Sequence, residues 1–108
     1  MKDDKLYLIH ISECIERIES YVSGLDKDAF LESSLVQDAV IRNLQVMSES
    51  TQHLSDETKQ KRQEIEWYKI AGFRNILVHD YLGVDMEMVW NIISKEIPIL
   101  RDAIRNMI

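Results

Sequence analysis

Apolar side chains recur along the chain at helical spacing. Leu8, Ile11, Ile15, Ile18 and Val22 are three and four residues apart, so they line one face of an amphipathic helix starting after Asp3 or Asp4. Ser23-Gly24 ends it. Asp26 is placed to cap a short turn carrying Ala29, Phe30 and Leu31, and Val36, Val40, Leu44, Met47 and Leu54 trace a second long helix through about residues 34–54. Ser55-Asp56-Glu57 has the composition of a helix start, but the TKQKRQ after it is too polar to pack deeply, which predicts a short exposed connector. From Ile65 the apolar positions Trp67, Ile70, Ala71, Leu77 and Val78 return at helical spacing, and Arg74 lies on the same stripe. His79-Asp80-Tyr81-Leu82-Gly83 leaves the pattern. Asp85 then caps a last helix with the face Val89, Ile93, Ile97, Leu100, Ile104 and Met107, in which Pro98 predicts a kink.

Four principal helices and one short extra helix, joined by short links, predict an all-α antiparallel four-helix bundle. Only three glycines and one proline punctuate the 108 residues, which disfavours an all-β fold. No repeat, linker or low-complexity tract divides the chain, so residues 1–108 read as a single domain. Tyr7, Cys14 and Tyr21 flank the stripe of the first helix, and Trp90, Ile92, Ile99 and Ala103 flank that of the last. Faces this wide predict a homodimer packed through helices.

Composition narrows the function classes. The 13 Lys and Arg against 19 Asp and Glu leave a net charge of −6, which disfavours general duplex binding through a basic surface. A local cationic pocket for one phosphate is compatible with that balance, and Lys59, Lys61, Arg62, Lys69 and Arg74 fall within one short segment. A lone Cys14 excludes an intrachain disulfide, the N-terminal MKDDKLYLIH carries no secretory pattern, and charges interrupt every apolar run. The expected location is cytoplasmic.

His10, His53 and His79 are scattered without metal-ligand spacing, and Gly-rich phosphate loops and a nucleophile elbow are absent, so neither a metal nor a cofactor is expected. What remains is Arg74, with His79 five positions later and Tyr81 two beyond that. Five residues subtend about 140° on an ideal helix, so Arg74 and His79 converge only if the helix ends or loosens near Val78. A histidine at a helix C-terminus meets the negative end of the dipole, which suits a proton shuttle, and an arginine holds phosphate bidentately. Such a pair can cleave RNA without metal: His79 moves a proton at the 2′-hydroxyl or the leaving oxygen, and Arg74 stabilises charge on the phosphorane. The spacing alone recurs by chance in about one chain in ten at ordinary residue usage. A structural reading therefore stands beside the catalytic one, with Arg74 paired to a carboxylate such as Glu49, His79 capping a helix, Tyr81 packing and Cys14 a small buried side chain.

Wider context bears on the choice. The blocks Asp38-Ala39-Val40-Ile41-Arg42-Asn43-Leu44-Gln45 and Trp67-Tyr68-Lys69-Ile70-Ala71-Gly72-Phe73-Arg74-Asn75, running into Val78-His79-Asp80-Tyr81, resemble the HEPN superfamily, as do Val89-Trp90 and Pro98. Within it the chain is similar to the small HepT-like toxins that pair with MntA-like nucleotidyltransferase antitoxins. The resemblance implies a homodimeric helical bundle whose two motifs meet in a cleft to form a metal-independent ribonuclease. It makes Arg74 and His79 catalytic, has Asn75 orient them or the phosphate, and makes Tyr81 the acceptor of AMP from the partner enzyme, which would block RNA by charge and bulk. RNA, tRNA or mRNA, is the implied substrate. The alternative it leaves is a catalytically weak HEPN subunit that binds a nucleotide or the transferase. Where relatives carry Gly-Glu-Ala, this chain has Ser48-Glu49-Ser50, a change expected to alter the cleft.

Overall fold

The computed structural model describes residues 2–108, with the side chains of Lys2, Asp3 and Tyr81 outside the described part. All regular structure among these residues is helical: α1 (Lys2–Val22), α2 (Lys27–Glu32), α3 (Ser34–Gln52), α4 (Asp56–Gln60), α5 (Trp67–His79), a 3-10 turn (Tyr81–Gly83), α6 (Met86–Asn91), a wide π turn (Ile92–Glu96) and α7 (Ile97–Met107). The order follows the predicted sequence of elements, with α1 starting two or three residues early, close to the usual uncertainty of a helix end.

Side chains at the starts of the helices supply missing acceptors. Asp26 accepts the Ala29 N–H at 2.8 Å, Ser55 the Thr58 N–H at 3.2 Å and Asp85 the Glu87 N–H at 2.9 Å. Ser33, not singled out in the sequence, accepts the Val36 N–H at 3.2 Å and starts α3. At the end of α1 Gly24 turns the chain with φ at 79°, a backbone region that favours glycine.

The apolar stripe of α1 packs against α3 and α7, and α3 also packs against α5. Ile11, Ile15, Ile18, Leu44, Ile97 and Ile104 are almost wholly buried, within one continuous core. Cys14 is the small buried side chain expected of it, and other residues flanking the two stripes also find places inside the chain. Cys14 and Ala103 belong to that core, Trp90 tilts against Phe30 at 5.3 Å, and Tyr7 stacks on His53 at 4.7 Å, so these side chains are used within the chain; Tyr21 and Ile99 remain exposed. Burial raises the Cys14 thiol pKa.

A polar anchor fixes the start of α1. The Asp4 carboxylate, only 6% exposed, accepts from the Ser55 N–H at 2.9 Å and from the hydroxyls of Ser55 and Thr58, both at 2.6 Å. These bonds, led by that from the Ser55 hydroxyl, hold its pKa below the usual carboxylate value. The last helix is interrupted as Pro98 predicts, by a specific device. The Ile97 N–H bonds to the Ile92 carbonyl, a five-residue step, so the turn widens just where the proline ring would crowd the Ser94 carbonyl. Among the described residues no helix is long and apolar enough to cross a membrane.

Candidate functional site

The Arg74–Tyr81 segment occupies the second half of α5 and the turn after it. Three contacts set the register of α5. At its start the Trp67 indole N–H reaches the carbonyls of Lys59 and Arg62, both at 3.1 Å, and in its last turns Leu77 is wholly buried. From α3, Gln45 Nε2 donates to the Leu77 carbonyl at 3.0 Å.

Arg74 lies on the side of α5 that faces α3. Its Nη2 donates to Glu49 Oε1 at 3.0 Å and its Nη1 to Asn75 Oδ1 at 3.1 Å, while Nε is buried with no partner among the described groups. The pairing with Glu49 anticipated in the structural reading is therefore present. It is not a buried pair, because 27% of the Arg74 side chain and 52% of the Glu49 side chain stay exposed. Ser48 and Ser50, on either side of Glu49, are both buried, and Ser48 Oγ donates to the Gln45 carbonyl at 3.1 Å. The departures from the expected Gly-Glu-Ala thus put hydroxyls inside the bundle and leave Glu49 outside.

His79 is exposed and is the last residue of α5; the cap is Asp80, whose N–H bonds to the Ile76 carbonyl at 2.9 Å. The helix keeps its regular winding up to its end at His79, one residue past Val78. A regular α-helix sends the two side chains from its axis in directions about 140° apart. Asn75 lies between them in angle and touches Arg74. His79 instead shares the outer face of α5 with Tyr68, Gly72 and Asn75, all exposed, at helical spacing.

Gly83 closes the turn after His79. Its N–H bonds to the Asp80 carbonyl at 3.0 Å, and a Cβ there would lie 2.7 Å from Asp80 Oδ1. Tyr81 begins this turn, and its side chain lies outside the described part. Around the site several large apolar side chains face solvent: Tyr68, Ile76, Val78 and Leu82, the last 98% exposed. Charge is arranged less simply than the sequence suggests. Lys61, Arg62 and Lys69 pair with Glu57, Glu64 and Glu66, so the segment from Lys59 to Arg74 does not form an open cationic pocket. Arg42, exposed on the α3 face that carries Gln45 and Glu49, makes no ion pair among the described residues. No three His, Cys, Asp or Glu side chains among the described residues are grouped to hold a metal.

Sequence reasoning singled out Arg74, Asn75, His79 and Glu49 and passed over Gln45 as a contact. The signals for Gln45 were its place at the end of the Asp38–Gln45 block and its spacing of four residues before Glu49, on the same helix face.

Comparison with known proteins adds an independent line. The family described as ribonuclease HepT-like matches residues 11–107. A Methanocaldococcus jannaschii protein named "Gamma-glutamylcyclotransferase and putative RNase" is 41% identical over 103 residues, covering 95% of this chain and 46% of its own length. A "Putative RNase" of Caldanaerobacter subterraneus is 32% identical over 108 residues, with 100% and 96% covered, and a "Probable ribonuclease HepT" of Thermococcus cleftensis is 34% identical over 100 residues, with 93% and 91% covered. The chain thus spans about half of the first relative and nearly all of the other two. No solved structure gives a significant match. With the family match running from α1 to the end of α7, the chain belongs to the HepT-like ribonuclease family.

Proposed function

We propose that the protein is a metal-independent endoribonuclease acting as the toxin of a toxin–antitoxin pair, built as a homodimer of antiparallel four-helix bundles. The observation that carries this reading is the half-buried Arg74 with exposed Asn75 and His79 on one helix of a chain whose relatives are named as ribonucleases. Cleavage needs a base or acid and a group to hold the phosphate. The 2′-oxygen attacks the neighbouring phosphorus and the bond to the 5′-oxygen breaks, leaving a 2′,3′-cyclic phosphate and a 5′-hydroxyl. His79 takes the proton from the 2′-hydroxyl or gives one to the departing oxygen, and Arg74 exchanges Glu49 for the phosphate, where its guanidinium offsets the developing charge. Asn75 holds Arg74 in orientation.

The 140° divergence supports the dimer. Two copies meeting along the outer face of α5 would bring each His79 to the other's Arg74 edge, cover Tyr68 and Ile76, and use the open space at Gly72, where a Cβ would meet nothing within 4 Å. Control follows from position. A cognate MntA-like nucleotidyltransferase would join the adenylyl phosphorus of ATP to the Tyr81 hydroxyl oxygen, releasing pyrophosphate and a proton. The added anion, two residues from His79, would repel RNA phosphate.

The second reading, a binding subunit with weak or no catalysis, is favoured by one observation: Glu49 and Asn75 already occupy the Arg74 guanidinium. Purified protein, confirmed as unmodified on Tyr81 by mass and sized in solution, is incubated with total RNA and with tRNA in EDTA beside His79→Ala. Cleavage by the parent alone supports the ribonuclease; no cleavage by a folded, unmodified parent dimer rejects it in favour of the binding subunit.

A further inference from the structure

A helix leaves its last four carbonyls without backbone donors. In α5 one of these, Ile76, is satisfied by the Asp80 N–H, and the next, Leu77, by a side chain from another helix, Gln45. Gln45 therefore serves as the missing backbone donor for the turn that carries His79. It stands four residues before Glu49, on the same face of α3. One turn of α3 thus holds the segment at two points: Glu49 takes the Arg74 guanidinium, and Gln45 takes the carbonyl two residues before His79. Packing alone does not require a donor here, since an apolar side chain of equal length would fill the half-buried seam. A hydrogen bond to a carbonyl adds direction: it sets how far the last turn of α5 stands from α3 and stops it from fraying.

We infer that Gln45 is a positioning residue, acting through the Leu77 carbonyl to set the His79 ring relative to the bound phosphate. This rests on the ribonuclease reading above. Misplacing a reacting group by about 1 Å costs up to about 10²-fold in rate. A frayed turn that spends part of its time in place should therefore cost about tenfold in kcat, with KM little changed because the Gln45 bond goes to the Leu77 carbonyl and not to Arg74, which holds the phosphate.

The test uses the full chain and two substitutions. Gln45→Met keeps the length and removes the donor; Gln45→Lys restores an N–H donor beside the same carbonyl. Cleavage of an RNA that the parent cuts is measured for kcat and KM, and amide hydrogen exchange at His79 and Asp80 by NMR, on samples shown to be folded. The expected result is kcat about tenfold lower and exchange at those amides faster in Gln45→Met, KM within about twofold, and recovery of both in Gln45→Lys. Parent-like kcat in Gln45→Met, or equal loss in both variants, overturns the assignment. A parent that cuts no RNA ends it from the other side: the ribonuclease reading has then failed, while the exchange comparison still reports whether the tether exists.

Discussion

Arg74→Ala separates the two roles open to this arginine, because they carry different energies. A buried ion pair broken from one side costs about 3–5 kcal/mol, since it strands the remaining charge. The pair here is half in water, with 27% of the Arg74 side chain and 52% of the Glu49 side chain exposed. Exposed pairs contribute about 0.2–1 kcal/mol and a hydrogen bond such as that to Asn75 about 0.5–1.5 kcal/mol. Alanine also favours the helix slightly more than arginine. The net loss should be about 1–2 kcal/mol, a small part of the roughly 5–15 kcal/mol that holds a domain together, so the variant stays folded. A phosphate-holding arginine, by contrast, should be worth about 10²–10³ in rate, the scale of removing one transition-state donor. Urea unfolding followed by circular dichroism, at fixed protein concentration, gives the first number, and RNA cleavage in EDTA gives the second. Glu49→Ala is run beside it and should cost at most about 1 kcal/mol. A loss above about 3 kcal/mol in both variants, with cleavage falling only as folded protein falls, would refute this reasoning and make Arg74 a structural residue.

Three further outcomes are expected. Asp4→Ala should lower stability by about 2–3 kcal/mol at neutral pH, since a charged acceptor of three hydrogen bonds is lost. Because the folded state lowers the Asp4 pKa, its contribution is complete above the unfolded carboxylate pKa and fades as pH falls through the folded value; the gap between parent and variant in urea should therefore close in acid, and a gap independent of pH would contradict the anchor. Gly72→Ala should stabilise the isolated chain by about 0.5–1 kcal/mol through helix propensity but weaken the proposed self-association in sedimentation, and association unchanged by the substitution would remove Gly72 from the proposed contact. Tyr81→Phe should keep cleavage and escape silencing when the nucleotidyltransferase and ATP are supplied; full silencing would show that control acts elsewhere.

The helices and three of their caps were legible because apolar spacing and capping chemistry are local. Leu8 to Val22, Asp26, Ser55 and Asp85 act within one turn of where they stand in the chain. The tethers were not. Asp4 reaches Ser55 and Thr58, and Gln45 reaches Leu77, across 51, 54 and 32 residues, and no periodicity records which polar side chain a distant helix end will meet. The motif was legible as residue types but not as geometry. Whether Arg74 and His79 share a face depends on one turn of helix near Val78, within the uncertainty of any helix end read from sequence. The wide turn before Pro98 shows the same limit: proline announces an interruption, but a kink and a five-residue turn satisfy it equally.

That wide turn constrains how the chain can change length. A π turn takes up one residue more than an α-helix over the same rise, so α7 is wound in a different phase from α6. Losing any one residue between 92 and 96 would restore regular winding and leave everything beyond it on the same face, whereas a residue lost after Ile97 would swing the rest of α7 by about 100°. Leu100 and Ile104 would stay turned to the core after a loss within the wide turn, but the Pro98 ring would again meet a carbonyl four residues back. A deletion in the wide turn thus leaves the core face of α7 in place and its cost falls on the proline.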